Sequence, residues 1–312
     1  MRKVVVGTRQ SALALTQTGQ VIDKLRELCA REGLEVEFEL KKIVTKGDRI
    51  LDVTLSKVGG KGLFVKEIEQ ALLDGEVDLA VHSMKDMPFE LPEGLTVGAV
   101  PEREDPRDCL ITADGRGLDE LPQGAKVGTS SLRRSCQLQH YRKDLQIESL
   151  RGNIDSRLRK LETEGFDAIL LAGAGLHRIG WRDRISAYLD PEVCLPAVGQ
   201  GALCIECRDN DPFVQELLAK FNDPDTALAV SAERSFLGRL NGGCQVPIGA
   251  YAQIRETAEG REITLTGMVG APDGSALLKE TMAGTDPDRL GLAVAEALLV
   301  RGAEDLLAIA KE

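Results

Sequence analysis

The chain has 312 residues, of which 43% are hydrophobic and 29% charged, so the composition is globular and the length favours two or three domains. A net charge of -11 with 4% aromatic residues lacks the basic, ring-rich surface that nucleic acids require, so we expect no nucleic-acid partner. The apolar start is too short for a signal peptide and no later run could span a bilayer, which predicts a cytoplasmic protein without a membrane partner.

The first hundred residues alternate between strand and helix patterns. The run 77–82 is almost continuously apolar, which is typical of a parallel strand buried on both faces. The stretch 45–62 is polar, rich in glycine and longer than an ordinary connection, so it predicts a mobile loop that closes over a ligand. The predicted strands of this part are 3–6, 36–44 and 77–82, and the predicted helices are 12–31 and 63–73.

The same order of elements then repeats, which predicts two related α/β lobes. The matched pairs are 6–8 with 127–129, 46–48 with 151–153, and the strand that begins at 78 with 167–171.

Proline-rich and charged segments separate the lobes and a third region. The chain leaves the first lobe at 101–106, returns at 195–201 to add one strand at 202–207, and passes another boundary at 222–225. Beyond that boundary follow a helix at 226–240, three strands, and a last helix at 287–311. The predicted domains are lobe 1 (1–101 with 201–221), lobe 2 (106–195) and a C-terminal domain (224–312).

Arginines stand at the predicted carboxyl ends of strands in both lobes, where open α/β sheets bind their ligands. Guanidinium groups that converge repel one another unless anions lie between them, and each can hold a carboxylate through two hydrogen bonds. The set predicts a ligand with several carboxylates or phosphates, against the alternative of arginines on solvated helix faces. Its members are Arg9, Arg133, Arg134, Arg151, Arg157 and Arg178.

Two further residues suggest chemistry. Asp86 follows the strand at 77–82, and a carboxylate among arginines stays ionised and can stabilise a developing cation; the alternative is an aspartate that caps a turn. Cys244 follows two glycines, which let the backbone turn and expose a thiol; the alternative is a buried small side chain. Seven cysteines, an odd number, argue against a disulfide framework, and His82 is expected to pack in the core.

Seven motifs along nearly the whole chain resemble the porphobilinogen deaminase family. Each alone is modest evidence, but all seven in the same order are specific. They are GTRQS at 7–11, VGGKGLF at 58–64, HSMKD at 82–86, GTSSLRR at 128–134, LRGN at 150–153, LPAVGQG at 195–201 and GGCQVP at 242–247.

The resemblance implies an α/β fold with two periplasmic-binding-protein-like lobes of type II and a small α+β C-terminal domain containing a three-stranded antiparallel sheet. It implies a transferase of tetrapyrrole biosynthesis, which condenses four porphobilinogens head to tail into hydroxymethylbilane and releases ammonia. The family carries out this reaction on a dipyrromethane cofactor, which the resemblance places on Cys244 as a thioether.

The resemblance also assigns roles to matching residues. Asp86 matches the catalytic aspartate, and no metal is implied. The residues matched to cofactor binding are Cys244, Lys85, Asp86, Ser131, Arg133, Arg134, Arg151 and Gly152. The residues matched to substrate binding are Arg9, Ser11, Phe64, Arg151, Arg157, Arg178 and Gln200.

We further expect a monomer whose product passes to uroporphyrinogen-III synthase. The competing hypothesis is a non-catalytic anion-binding protein built from the same two lobes. It would carry a signal peptide and would have no use for Cys244.

Overall fold

The computed structural model describes residues 1–49, 62–242, 246–258 and 260–310. The chain divides into two compact units. Unit 1 comprises Met1–Arg103 and Ala202–Ala227, and unit 2 comprises Glu104–Gly201 and Leu228–Glu312. Unit 2 therefore contains the second lobe together with all but the first four residues of the predicted C-terminal domain.

The helices and strands of the described residues are numbered here along the chain. The strands are β1 (Arg2–Arg9), β2 (Val36–Ile43), β3 (Leu79–Ser83), β4 (Leu95–Ala99), β5 (Asp108–Thr112), β6 (Lys126–Gly128), β7 (Gln146–Glu148), β8 (Ala168–Ala172), β9 (Ala187–Tyr188), β10 (Leu203–Arg208), β11 (Ile248–Thr257), β12 (Gly260–Gly270) and β13 (Leu277–Gly284). The helices are α1 (Ala12–Glu32), α2 (Lys46–Arg49), α3 (Lys66–Leu73), α4 (Leu132–Tyr141), α5 (Ile154–Thr163), α6 (Gly173–Arg178), α7 (Pro212–Phe221), α8 (Pro224–Arg239), α9 (Pro287–Val300) and α10 (Ala303–Ile309). Short 3₁₀ turns occupy Met84–Asp86, Leu118–Glu120 and Arg182–Arg184.

Unit 1 is built on a five-stranded sheet in the order β2-β1-β3-β10-β4. β1 is parallel to β2 and β3, whereas β10, the returning strand, is antiparallel to β3 and β4. Apolar side chains from α1 and α7, such as Leu25 and Leu218, pack on one face against Val4. Ile68 and Leu72 of α3 pack with Ala80 of β3 in a second apolar cluster. Burial on both faces explains why the central strand β3 is so apolar in sequence.

The first sheet of unit 2 repeats this plan in the order β7-β6-β8-β5-β9. β6 lies between its parallel neighbours β7 and β8, as β1 lies between β2 and β3, and β5 is the antiparallel strand. The elements that the sequence pattern paired therefore occupy equivalent places. This strand order is the type II periplasmic-binding-protein arrangement, and the predicted α/β fold class is confirmed.

Unit 2 also contains an antiparallel sheet in the order β11-β12-β13, as predicted. α8, α9 and α10 contribute to the apolar cluster on this sheet, in which Phe236 and Leu265 are fully buried. Phe236 sits so close to the sheet that a Cβ at Gly267 would lie 2.6 Å from its ring. The turn between β12 and β13 contains Gly274 at a φ of 73°.

Two sequence predictions need correction. The last helix, predicted at 287–311, is interrupted, because Gly302 adopts a φ of 93° that ends α9 and begins α10. The predicted loop at 45–62 contains the short helix α2, and Thr45 before it is fully buried. The rest of that loop prediction, residues 50–61, lies outside the described residues. Among the described helices, none combines the length and apolarity needed to cross a membrane.

Candidate functional site

Asp86 lies in the 3₁₀ turn Met84–Asp86 that follows β3. Met84 and Met87 are 2% and 5% exposed and anchor the turn in the core. The backbone N–H of Met84 also donates to the carbonyl oxygen of Ala202 at 3.0 Å, just before β10. Lys85 and Asp86 are half-buried. The turn therefore holds the Asp86 carboxylate at the carboxyl end of β3 without enclosing it.

Arg9 is the last residue of β1, at the same edge of the unit 1 sheet. Its Nε donates to Asp48 Oδ1 at 3.1 Å, and its guanidinium carbon lies 4.2 Å from the centre of the Phe64 ring. Thr45 donates its hydroxyl to the same Asp48 carboxylate at 2.7 Å. Asp48, which sequence reasoning missed, therefore fixes the orientation of Arg9 together with the predicted residue Phe64.

Ser11 caps the N-terminus of α1, where its hydroxyl oxygen accepts from the backbone N–H of Ala14 at 3.3 Å. Ser131 has the equivalent place in unit 2, as it caps α4 and accepts from the N–H of Arg134 at 3.4 Å. Both serines thus begin the helix that follows an equivalent strand, β1 or β6, and free N–H groups at such a helix start favour anions.

Arg133 and Arg134 are buried, with 5% and 6% exposure, and both contact the carboxylate of Asp108. Arg133 Nη1 donates to Asp108 Oδ2 at 2.6 Å and to the carbonyl oxygen of Leu195 at 2.7 Å. Arg134 Nε donates to Asp108 Oδ1 at 2.9 Å. The two charges predicted to meet a ligand are therefore partly balanced inside unit 2.

Asp108, at the start of β5, organises three predicted site residues. Besides both arginines, Gln200 donates its Nε2 to Asp108 Oδ1 at 3.0 Å. Burial opposes ionisation of this carboxyl, but the charges of Arg133 and Arg134 hold its pKa well below the usual range. Sequence reasoning missed Asp108, because one aspartate after a proline-containing linker carries no pattern; only the pairing of β5 with β8 brings it beside α4.

A second group of cations in unit 2 consists of Arg134, Arg151 and Arg157. Burial, followed by the charges of Arg134 and Arg151, lowers the pKa of Arg157 to about 10. Arg157 Nε donates to the carbonyl oxygen of Gly152 at 2.8 Å, in a turn where Gly152 has a φ of 117°. The charges of Arg134 and Arg151 disfavour the protonated form of Arg157, and a bound anion would offset that repulsion. Ligand carboxylates, such as those of a dipyrromethane, fit this group.

Arg178 and Gln200 donate hydrogen bonds to backbone carbonyl oxygens of unit 2. Arg178 ends α6 and donates its Nη2 to the carbonyl oxygen of Gly201 at 2.6 Å, while burial lowers its pKa to about 10. Gln200 donates to the carbonyl oxygen of Pro106 at 2.7 Å as well as to Asp108. Both residues therefore hold the segments where the chain enters and leaves unit 2.

Cys244 lies outside the described residues. The described cysteines, all of them buried and none of them in a disulfide, are Cys29, Cys109, Cys136, Cys194, Cys204 and Cys207. Burial raises the pKa of the Cys109 and Cys136 thiols to about 12 and that of Cys207 to about 11. Such thiols are poor nucleophiles at neutral pH, because the thiolate is the reactive form.

Two family models match the chain. Residues 4–216 match "porphobilinogen deaminase, dipyromethane cofactor binding domain", and residues 227–300 match "porphobilinogen deaminase, C-terminal domain". The chain belongs to the porphobilinogen deaminase family. Membership in this family of transferases decides against the non-catalytic anion-binding alternative, and it establishes the dipyrromethane cofactor.

Curated relatives cover nearly the whole chain. The porphobilinogen deaminase of Paenibacillus macerans is 63% identical over an alignment of 318 positions, which covers 96% of this chain and 98% of the relative. That of Brevibacillus brevis is 64% identical over 308 residues, with 99% and 97% covered. That of Shouchella clausii is 59% identical over 308 residues, with 98% and 97% covered.

Solved structures with a similar fold include a YaeC-family lipoprotein of Enterococcus faecalis V583, with a TM-score of 0.42 and 12% identity over 73% of this chain and 94% of that chain. Another is a TRAP periplasmic solute binding protein of Desulfovibrio salexigens DSM2638, with a TM-score of 0.42 and 13% identity over 71% of this chain and 72% of that chain. These likenesses concern the fold alone.

Proposed function

We propose that this chain condenses four porphobilinogens into hydroxymethylbilane on a dipyrromethane attached to Cys244, with Asp86 as the catalytic carboxylate. In each condensation the C–N bond of the aminomethyl group breaks, a C–C bond to the terminal pyrrole forms, and ammonia leaves with the proton that the pyrrole loses. Water would then break the bond between the completed tetrapyrrole and the primer and supply the hydroxyl group of the product. The dipyrromethane supplies the first pyrrole carbon to which substrate is joined.

The group of Arg134, Arg151 and Arg157 carries this proposal. Each porphobilinogen brings two carboxylates, so the growing chain is a polyanion that relieves the repulsion among these cations. Lys85, Ser131 and Gly152 join them as cofactor-binding residues. Arg9, Ser11, Phe64, Arg178 and Gln200 are assigned to substrate binding. The structure adds Asp48 and Asp108 as the carboxylates that orient Arg9 and the pair Arg133 and Arg134.

Asp86 supplies charge stabilisation. Departure of ammonia leaves a cationic methylene-pyrrole, and attack by the next ring produces another cation. A carboxylate about 4 Å from such a cation, at an effective dielectric constant of about 20, stabilises it by roughly 4 kcal/mol. The buried anchors Met84 and Met87 keep the carboxylate in place before the charge develops, which is the requirement for electrostatic catalysis.

The attachment to Cys244 is tested by mass and colour. The purified wild-type protein should exceed its chain mass by two linked pyrrole units and should react with Ehrlich's reagent. Cys244→Ser should have the mass of the bare chain and stay colourless. Cys29→Ala, which changes a buried thiol of unit 1, should keep both the added mass and the colour. Equal colour in Cys244→Ser and wild type would refute the assignment.

We assign a cytoplasmic monomer, whose product passes to uroporphyrinogen-III synthase. The three-domain division into lobe 1, lobe 2 and a C-terminal domain is retained as a proposal; the separate core of β11, β12 and β13 with α8, α9 and α10 supports it.

A further inference from the structure

Three ionisable side chains of unit 1, one on α3 and two on the sheet beneath it, are buried, and the proposed function uses none of them. His82 Nε2 of β3 and Glu206 Oε2 of β10 are 3.0 Å apart, with side chains 3% and 0% exposed. Glu69 of α3 is 6% exposed. Burial and then the charge of Glu206 raise the pKa of Glu69, so the two carboxyl groups interact. The charges of His82 and Lys66 have the opposite effect and lower the pKa of Glu69.

The strand register places His82 and Glu206 on one face of the sheet. β3 and β10 are antiparallel, with His82 opposite Cys204 and Ala80 opposite Glu206. The two polar residues are therefore diagonal neighbours, which is within reach of long side chains. The pairing of β10 with β4 shifts its register between Ile205 and Glu206. Such bulges redirect a side chain and are common beside active sites.

The contact lies immediately before the turn that carries Asp86. β3 ends at Ser83, one residue after His82, and Met84–Asp86 follows directly. The backbone bond from Met84 to Ala202 continues the attachment of this segment to the β10 side of the sheet. A displacement of β3 relative to β10 at His82 would therefore move the Asp86 carboxylate.

The cluster is costly for the fold. Within the described part of the chain, Oε1 of Glu69 and Oε1 of Glu206 are buried without a hydrogen-bond partner. A buried polar atom without a partner destabilises the folded state, and three apolar side chains would avoid that cost. Proteins accept such violations mainly where function requires them.

We propose that His82, held by Glu206, is a positioning residue for Asp86. The hydrogen bond between them fixes β3 against β10 and thereby sets the place of the turn at Met84–Asp86. The inference rests on the proposed catalytic role of Asp86.

The test compares two replacements of Glu206 in the holoenzyme. Glu206→Leu removes the contact with His82, whereas Glu206→Gln keeps an oxygen that accepts from Nε2–H. We expect Glu206→Leu to lower kcat about tenfold or more while KM for porphobilinogen changes less than about threefold, since misplacement acts on turnover. Glu206→Gln should stay within about threefold of wild-type kcat. Pyrrole content by mass should be unchanged in both.

Val214→Ala is the matched control, because Val214 is fully buried on the opposite, α1-covered face of the same sheet. At equal folded fraction by circular dichroism it should keep wild-type kcat. His82→Leu removes the contact from the other side and should repeat the kcat loss if Glu206→Leu folds poorly. Wild-type kcat in a folded variant that lacks the contact would overturn the inference, as would equal losses in Glu206→Leu and Glu206→Gln.

A double variant separates this inference from the proposed function. In the Asp86→Asn background, Glu206→Leu should lower the single-turnover rate less than about twofold, because no catalytic carboxylate remains to be positioned. A full loss in both backgrounds would refute positioning of Asp86 by His82. Wild-type turnover in Asp86→Asn alone would instead refute the catalytic role proposed for Asp86.

Discussion

Asp86 and Asp108 are two aspartates that differ in accessibility. Asp108 is fully buried, and its two oxygens accept from Arg133, Arg134 and Gln200. Asp86 is half-buried in a turn anchored by its apolar neighbours. The charge of Asp108 is balanced inside the protein, whereas the charge of Asp86 remains accessible to a substrate.

Replacement of Asp86 by Asn keeps the size of the side chain and removes the charge. If the carboxylate supplies roughly 4 kcal/mol to the cationic transition state, turnover should fall by about three decades. Steady-state assays with porphobilinogen, alongside circular dichroism, measure this. Glu90→Gln, which changes an exposed carboxylate shortly after the turn, should keep wild-type turnover. A loss smaller than about tenfold in Asp86→Asn would mean that another group stabilises the charge.

Residue roles could be predicted only where the motif and the local structure agree. The place of Asp86 after β3 follows from an apolar strand ending in a polar turn, and the structure has that turn. Arg133 and Arg134 were predicted from the start of α4, but their shared bond to Asp108 depends on β5, a strand well before α4 in the chain that pairs with β8. Tertiary pairing of this kind leaves no periodic signal in the sequence.

At the scale of elements, near-continuous apolar runs predicted the central strands β3 and β8, because both are buried along almost their whole length. Breaks inside elements were less predictable. Gly302 sits in an apolar helical pattern that continues on both sides, so the interruption between α9 and α10 shows only in its left-handed backbone. In the same way, α2 is too short and polar to show helical periodicity.

Gly201, the last residue of the segment Glu104–Gly201 of unit 2, makes a tight backbone contact. Its φ is 87°, and a Cβ there would lie 2.3 Å from the carbonyl oxygen of Glu104. Gly201→Ala therefore adds a backbone clash to the cost of a left-handed residue, and we expect a loss of about 2–4 kcal/mol in the free energy of unfolding. Urea titration followed by circular dichroism measures it.

Gly180→Ala is the control for this substitution. Gly180 has a φ of 78°, and nothing lies within 4 Å of the position that an alanine methyl group would take. Alanine there incurs only the cost of the left-handed backbone, about 1–2 kcal/mol. Equal losses at the two positions would show that the chain around Glu104 yields without cost.

At the scale of the whole molecule, carboxylates with lowered pKa values are present in both units. Salt bridges and hydrogen bonds hold down the pKa against the opposing effect of burial in each case. They include Asp48 and Asp211 in unit 1, and Glu104, Asp105 and Asp108 in unit 2. Glu69 has a raised pKa and acts with the opposite sign, since its contribution is lost as pH rises through its folded pKa.

These shifts predict an acid-sensitive fold. A carboxyl with a depressed folded pKa contributes stability above its unfolded pKa, about 4, and loses it as pH falls through the folded value. Asp108→Asn leaves Arg133 and Arg134 without their shared anion, so the variant should lose about 3–5 kcal/mol at pH 7. The difference in free energy of unfolding between wild type and Asp108→Asn should narrow by about 1.4 kcal/mol per pH unit below about pH 4.

Urea midpoints between pH 7 and pH 3 test the role of Asp108. Asp114→Asn is the control, because Asp114 pairs with Arg116 on the surface of the same unit, where solvent screens the charges. Its urea midpoints should follow those of wild type at every pH. A narrowing gap in Asp108→Asn alone would locate the acid sensitivity at the buried carboxylate. A gap that stays constant with pH would mean that the variant fails through packing, and that the carboxylate is not what balances the two arginines.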